Sequence, residues 1–298
     1  MRIPAHLCAT AVAALILMSC LAAHAATQPA FDAIYVFGDS YCDVGNLFAA
    51  DGGTYPPAPY FNGRFSNGPL WVEHLAGTYG VSMTPSLLGG TDYAVGGAEV
   101  TAAVPEGAFT IPSVPQQVEL YLSQHNFRAD PKALYIVEGG GNDILNATGG
   151  SPEVLGGEIA FGLLSSVRLL EHAGARNLLV PRLFNVGLLP AAQEAGISAF
   201  ASTASNALNL GLDTGLLFEA FTPDTLLYRI DTYSLLQSIL ADGTHYGFSD
   251  VTDPCLNRAV SPPTLCSNPY VSFFWDAEHP TIFGHAFLAV MAEQVLSH

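Results

Sequence analysis

Residues 33–46 read AIYVFGDSYCDVGN, a run of aliphatic and aromatic residues that breaks at Gly38 into polar sequence. An apolar run of this length, closed by a glycine, spells a buried strand ending in a sharp turn. Working outward, similar runs return at residues 92–95 (DYAV), 133–137 (ALYIV), 177–180 (NLLV) and 225–229 (TLLYR). Between them lie residues 69–79, 113–127, 154–173, 199–221 and 232–241, where apolar residues recur at three- and four-residue spacing, the period of a helix. Strand and helix in alternation predict βαβ units. The expected fold class is α/β: a doubly wound, flavodoxin-like three-layer α/β/α sandwich around a central parallel sheet of about five strands. No repeat or linker divides the chain, so residues 26–298 are expected to form one domain, with a ligand beyond the carboxyl ends of the strands.

Composition narrows the partners. The 298 residues include 9 Lys or Arg against 26 Asp or Glu, a formal charge of −17, which opposes nucleic acid and anionic membrane surfaces. Half of the residues are hydrophobic and 12% are charged, enough apolar material for a large core and too little charge for disorder. The first 25 residues have another pattern: Arg2, then an apolar stretch to Leu21, then Ala23-His24-Ala25 with small residues where a signal peptidase reads. Residues 1–25 are therefore expected to be a signal peptide, and the mature chain secreted or periplasmic. The stretch is shorter than the ~20 residues a spanning helix needs. Leu17-Met18-Ser19-Cys20 offers a minority route, an outer-membrane lipoprotein anchored at Cys20. Cys255 and Cys266 bracket a proline-rich loop, and in an oxidising compartment they are expected to pair. Cysteine and histidine spacing suits no zinc site, so no metal is expected.

Four segments follow the strand ends or stand near the C-terminus: Gly38-Asp39-Ser40, Gly96-Gly97-Ala98, Gly140-Gly141-Asn142-Asp143 and Asp276-Ala277-Glu278-His279-Pro280. In this order, and with Gly63-Arg64-Phe65-Ser66-Asn67-Gly68 followed by Trp71 and Glu73, the chain resembles the GDSL or SGNH serine esterases and lipases, in particular their secreted lipase and esterase branch. The resemblance runs from about Ala33 to Gly284. It implies an oxyanion hole formed by the backbone N–H of Ser40, the backbone N–H of Gly97 and the side-chain amide of Asn142, with Gly96 the near alternative to Gly97. Departures from the common pattern are Tyr41 for leucine, Cys42 where a serine or small residue is frequent, and Asp92 for asparagine.

The residues carry the chemistry on their own terms. A serine hydroxyl needs a base to take its proton, and a histidine serves best when a carboxylate fixes its tautomer and steadies the imidazolium. Ser40 sits at a glycine-bordered corner, and Asp276 and His279 are three residues apart, so one turn delivers carboxylate and ring together. Duller readings stand beside these: Ser40 as a helix cap, Asp276 and His279 as a surface ion pair, Asp39 and Asp43 as braces of the corner, Asp143 as a helix cap, His285 as a solvated or core-edge residue. Arg64, Phe65 and Asn67 belong either to a wall over the site or to a packed surface loop capping the helix after Pro69.

The resulting expectation is an ester hydrolase: Ser40 as nucleophile, His279 as base, Asp276 orienting it, no cofactor, and a small-molecule or lipid ester as substrate for a monomeric enzyme. Short or medium acyl esters lead. Polysaccharide O-deacetylation, phospholipase or acyltransferase chemistry are the alternatives on the same site, and a surface-binding module is the non-enzymatic one. No G-x-S-x-G, H-E-x-x-H or P-loop motif occurs, and the glycines at 139–141 lack dinucleotide-loop spacing.

Overall fold

A computed structural model describes residues 30–297; residues 1–25, expected to be a signal peptide, and Cys20 with them, lie outside the described residues. The central sheet contains β1 (Ile34–Phe37), β4 (Leu134–Val137), β5 (Asn177–Leu179) and β6 (Leu226–Tyr228), all parallel and ordered β1-β4-β5-β6. The intervening β2 (Val104–Glu106) and β3 (Phe109–Ile111) form a separate hairpin. The helices are α1 (Asn46–Ala50), α2 (Trp71–Tyr79), α3 (Val114–Gln124), α4 (Gly141–Leu145), α5 (Pro152–Ala173), α6 (Pro190–Glu194), α7 (Ser198–Phe218), α8 (Thr232–Ala241) and α9 (Ile282–Leu296). The last hairpin, β7 (Leu256–Asn257) with β8 (Thr264–Leu265), lies within the loop closed by a Cys255–Cys266 disulfide.

Side-chain alternation along the strands builds two cores. Ile34, Val36, Leu134, Ile136 and Leu179 pack with α2 and α9 on one face. Phe37, Tyr135, Val137, Leu178 and Val180 pack with α3, α5 and α7 on the other. Helices thus cover both faces, as a parallel sheet requires. Three helices start on a side-chain cap: Ser113 and Ser151 accept from the backbone N–H groups of Gln116 and Val154, and Asp231 accepts from Ser234 N.

The sheet has four strands, against about five expected. Residues 91–95 do lie parallel beside β1, with Val36 N donating to Thr91 O, Tyr93 N to Val36 O and Val95 N to Gly38 O. The Asp92 carboxylate, however, accepts from Ala94 N at 3.0 Å and from Val44 N at 2.8 Å. That local turn bends the backbone away from regular extension and leaves a bridge rather than a strand.

Register aligns Phe37 with Val137, so β1 and β4 end level with each other. The loops carrying Ser40 and Asn142 therefore emerge side by side at one edge of the sheet. Helices α5 and α7 approach so closely that a Cβ on Gly156 would lie 2.5 Å from Ala204 O. Gly156→Ala should therefore destabilise the protein by about 1–3 kcal/mol by urea denaturation, despite alanine's better helix propensity.

Candidate active site

The corner after β1 is fixed from beneath. Gln117 on α3 takes both sides of Gly38, accepting from its N–H at 2.8 Å and donating to its carbonyl at 2.9 Å. Asp39 N donates to Glu138 Oε1 at 2.9 Å, and a Cβ on Gly38 would meet that oxygen at 2.0 Å, so only glycine fits. The Asp39 carbonyl accepts from Cys42 and Asp43, and its carboxylate from Tyr41 N. Ser40 is left at the apex. Asp43 then ties two loops together, accepting from Gly45, Asn46 and Leu47 at the start of α1 and from Gly96 N at 2.8 Å. These are the bracing roles expected of Asp39 and Asp43.

From the far end of the chain comes the basic group. Asp276 Oδ1 accepts from the backbone N–H of Glu278 at 2.8 Å and of His279 at 2.7 Å, closing the turn between them. Both Asp276 oxygens stand 2.9 Å from His279 Nδ1, and His279 Nε2 stands 2.7 Å from Ser40 Oγ. Burial disfavours the imidazolium, but the Asp276 charge and hydrogen bond outweigh it and raise the His279 pKa above its ordinary value. Burial likewise opposes the Asp276 carboxylate, and His279, Tyr60 and the Glu278 amide reverse it, leaving the carboxyl below its ordinary range. The pair stabilises the fold between roughly pH 4 and 6.5; the contribution is lost as pH rises through the raised His279 value or falls through the depressed Asp276 value.

Ser40, Gly97 and Asn142 line one cavity with His279. Among the described residues, neither Ser40 N nor Gly97 N has a partner within the protein, whereas Gly96 N is occupied by Asp43. Gly97, in the cavity lining, has φ +79°, a conformation a glycine adopts at no steric cost. Asn142, at the start of α4, donates one amide hydrogen to Ala98 O at 2.9 Å, which holds its side chain against the Gly97 loop. Asp143 does not cap a helix as expected; it accepts from Val100 N, Thr101 N and the Thr101 hydroxyl, pulling that loop onto α4.

These groups line a cavity of about 510 Å³ whose walls mix Leu47, Phe65, Ile111 and Leu256 with Glu106, Glu194 and Arg258. Phe65 lies against the His279 ring, centroids 5.2 Å apart. Its neighbours in the same run do not line the cavity: Arg64 pairs with Glu73 at 2.7 Å, and Asn67 Oδ1 accepts from Ile282 N at 2.8 Å. Asn67 thus caps α9 rather than the helix after Pro69, whose first turn is held by Glu73 accepting from Leu70 N. Ser66 donates to Pro280 O, so the run cradles the turn that carries His279.

Four neighbours carried no signal that a sequence reading catches: Gln117, Glu138, Tyr60 and Arg258. Tyr60 donates to Asp276 Oδ2 at 2.6 Å. His285 is wholly buried rather than solvated or at the core's edge; its Nδ1 accepts from Trp71 N at the start of α2, and burial pushes its pKa down to about 3. Cys42 is buried too, and burial raises its thiol pKa well above the ordinary value. No group of three or more potential metal ligands occurs among the described residues.

The family model described as GDSL-like lipase/acylhydrolase matches residues 34–290. Among curated proteins, the chain is similar to the thermolabile hemolysin of Vibrio parahaemolyticus, 27% identical over 89% of this chain and 64% of that one. It is also similar to a phosphatidylcholine-sterol acyltransferase of Aeromonas hydrophila, 28% identical over 88% of this chain and 78% of that one. A GDSL esterase/lipase of Arabidopsis thaliana is 26% identical over 90% of each chain. The chain thus spans just under two thirds of the hemolysin's length.

In a histidine-selective NMR titration, the His279 resonance should move at a midpoint above 6.5. Asp276→Asn, which removes the charge and leaves the burial, should carry that midpoint below 6.5; an unchanged midpoint would contradict the pairing.

Proposed function

The chain belongs to the GDSL-like lipase/acylhydrolase family, and from that premise we propose that it hydrolyses carboxylic esters through an acyl-serine intermediate formed on Ser40. One observation carries the reading: His279 Nε2 within 2.7 Å of Ser40 Oγ, at the floor of a cavity with unpartnered N–H groups beside it. His279 takes the Ser40 proton as the oxygen bonds to the acyl carbon. The carbonyl π electrons move onto the oxygen, and the N–H groups of Ser40 and Gly97 and the Asn142 amide stabilise that negative charge by donating hydrogen bonds to it. When the tetrahedral species collapses, the proton on His279 passes to the departing alcohol. Water then repeats the sequence and releases the acid, with Asp276 steadying the imidazolium each time.

Leu47, Phe65, Ile111 and Leu256 in the lining give an acyl chain apolar surface to pack against, which supports short or medium acyl esters or a lipid acyl group as the substrate class. No metal or redox group takes part in these steps. Export fits the disulfide, which persists in an oxidising compartment. Among the described residues no helix is long and apolar enough to cross a membrane.

On p-nitrophenyl esters of graded chain length, Ser40→Ala should lower kcat by about 10³-fold or more even with Cys42 intact, because a buried, protonated thiol offers no substitute nucleophile. A fluorophosphonate should label Ser40 in the wild type; activity surviving in Ser40→Ala would overturn the assignment. Asn142→Ala should lower kcat by about 10²- to 10³-fold with little change in KM.

A further inference from the structure

Asp276 is served by a second side chain besides His279, and that side chain is held in turn by the disulfide loop. The Tyr60 hydroxyl donates to Asp276 Oδ2 at 2.6 Å, across 216 residues of sequence. Arg258 Nη1 lies 3.5 Å from the Tyr60 oxygen, with the guanidinium carbon 5.8 Å from the ring centroid. The Tyr60 ring is wedged edge-on against Phe65 and Trp275, so its hydroxyl has one direction to point. Arg258 follows β7, whose start is tied down twice. Cys255 is bridged to Cys266, and Cys255 N and Leu256 N donate to Phe274 O and Trp275 O, immediately before Asp276.

We propose that Tyr60 is a positioning residue for the Ser40, His279 and Asp276 unit, and that Arg258 holds Tyr60 in that role. The inference rests on the ester-hydrolase reading and adds to it the residues that set the strength of the base.

The chemistry follows from charge sharing. A phenol donating to one carboxylate oxygen draws negative charge away from the imidazole, so His279 is a weaker base than Asp276 alone would make it. The cation at Arg258 strengthens that donor and adds positive charge behind it. Burial and the Asp276 charge raise the phenol's pKa far above neutrality, so Tyr60 stays a donor throughout the working range. Arg258 fits this role better than that of an anion-binding subsite. The same cavity is lined by Glu106, Glu194 and Glu278, which would repel an anionic substrate group.

Other charged groups face His279: Glu278 from its own turn, Asp39 from the nucleophile corner and His285 from α9, with the Tyr41 ring alongside. All of these remain in place when Tyr60 loses its hydroxyl. The effect of that change is therefore specific in sign.

Tyr60→Phe keeps the ring and removes the hydroxyl. His279 should then titrate higher by roughly one pH unit, and the acid limb of kcat/KM should move up with it. At pH 6 kcat/KM should fall about tenfold, with most of the loss recovered at alkaline pH. Arg258→Gln should shift both readouts in the same direction by a smaller amount. Near-UV circular dichroism establishes that each variant is folded, and if Tyr60→Phe is not, Arg258→Gln decides the matter alone. A His279 midpoint and acid limb unmoved in the folded variant would reduce Tyr60 to a wall of the cavity and overturn the inference. The NMR titration needs no substrate, so a wild-type protein inert toward every ester would defeat the hydrolase reading while still testing Tyr60.

Discussion

Asp276 holds a negative charge almost out of contact with water, a placement that costs several kcal/mol unless donors surround the group. Four do so: the ring of His279, the backbone N–H groups of Glu278 and His279, and the Tyr60 hydroxyl. Each donor comes from a segment that must itself be held. The turn of residues 276–279 closes on Trp275, whose N–H donates to His279 O at 2.7 Å. Tyr60 is held by its aromatic neighbours and Arg258. The same buried charge that has to be satisfied by these donors is thus the one that supports the His279 imidazolium.

The Ser40 side rests on a different constraint, the close pairing of two parallel strands. Because β1 and β4 end level, Glu138 just past β4 can reach the Asp39 amide just past β1. Gly38 is the consequence, since any larger residue would collide with that carboxylate. Asp43 extends the arrangement sideways by binding Gly96 and so leaving Gly97 as the glycine with its N–H unoccupied.

What could be read from the chain without coordinates was whatever is local. The helix periods, the buried strand before Gly38 and the three-residue step from Asp276 to His279 all announce themselves within a few positions. Helix α8 falls where the spacing places it, at Thr232–Ala241, while the run at 92–95 loses its strand geometry to the side chain of Asp92. What escaped was long-range. Gln117 serves Gly38 from 79 residues away and Asn67 caps α9 from 215, and neither residue type is unusual where it stands. His285 misled for a related reason, because the chain alone does not show that its nitrogen meets the unpaired amide at the start of α2.

Ser40 and His279 lie 239 positions apart, and α9, which follows the turn of residues 276–279, packs against α2 to complete the core on one face of the sheet. A ribosome delivers Ser40 early and His279 late. Until the final helix has emerged and docked, His279 is not yet beside Ser40 and the serine is an ordinary alcohol, so the pairing exists only in the finished fold.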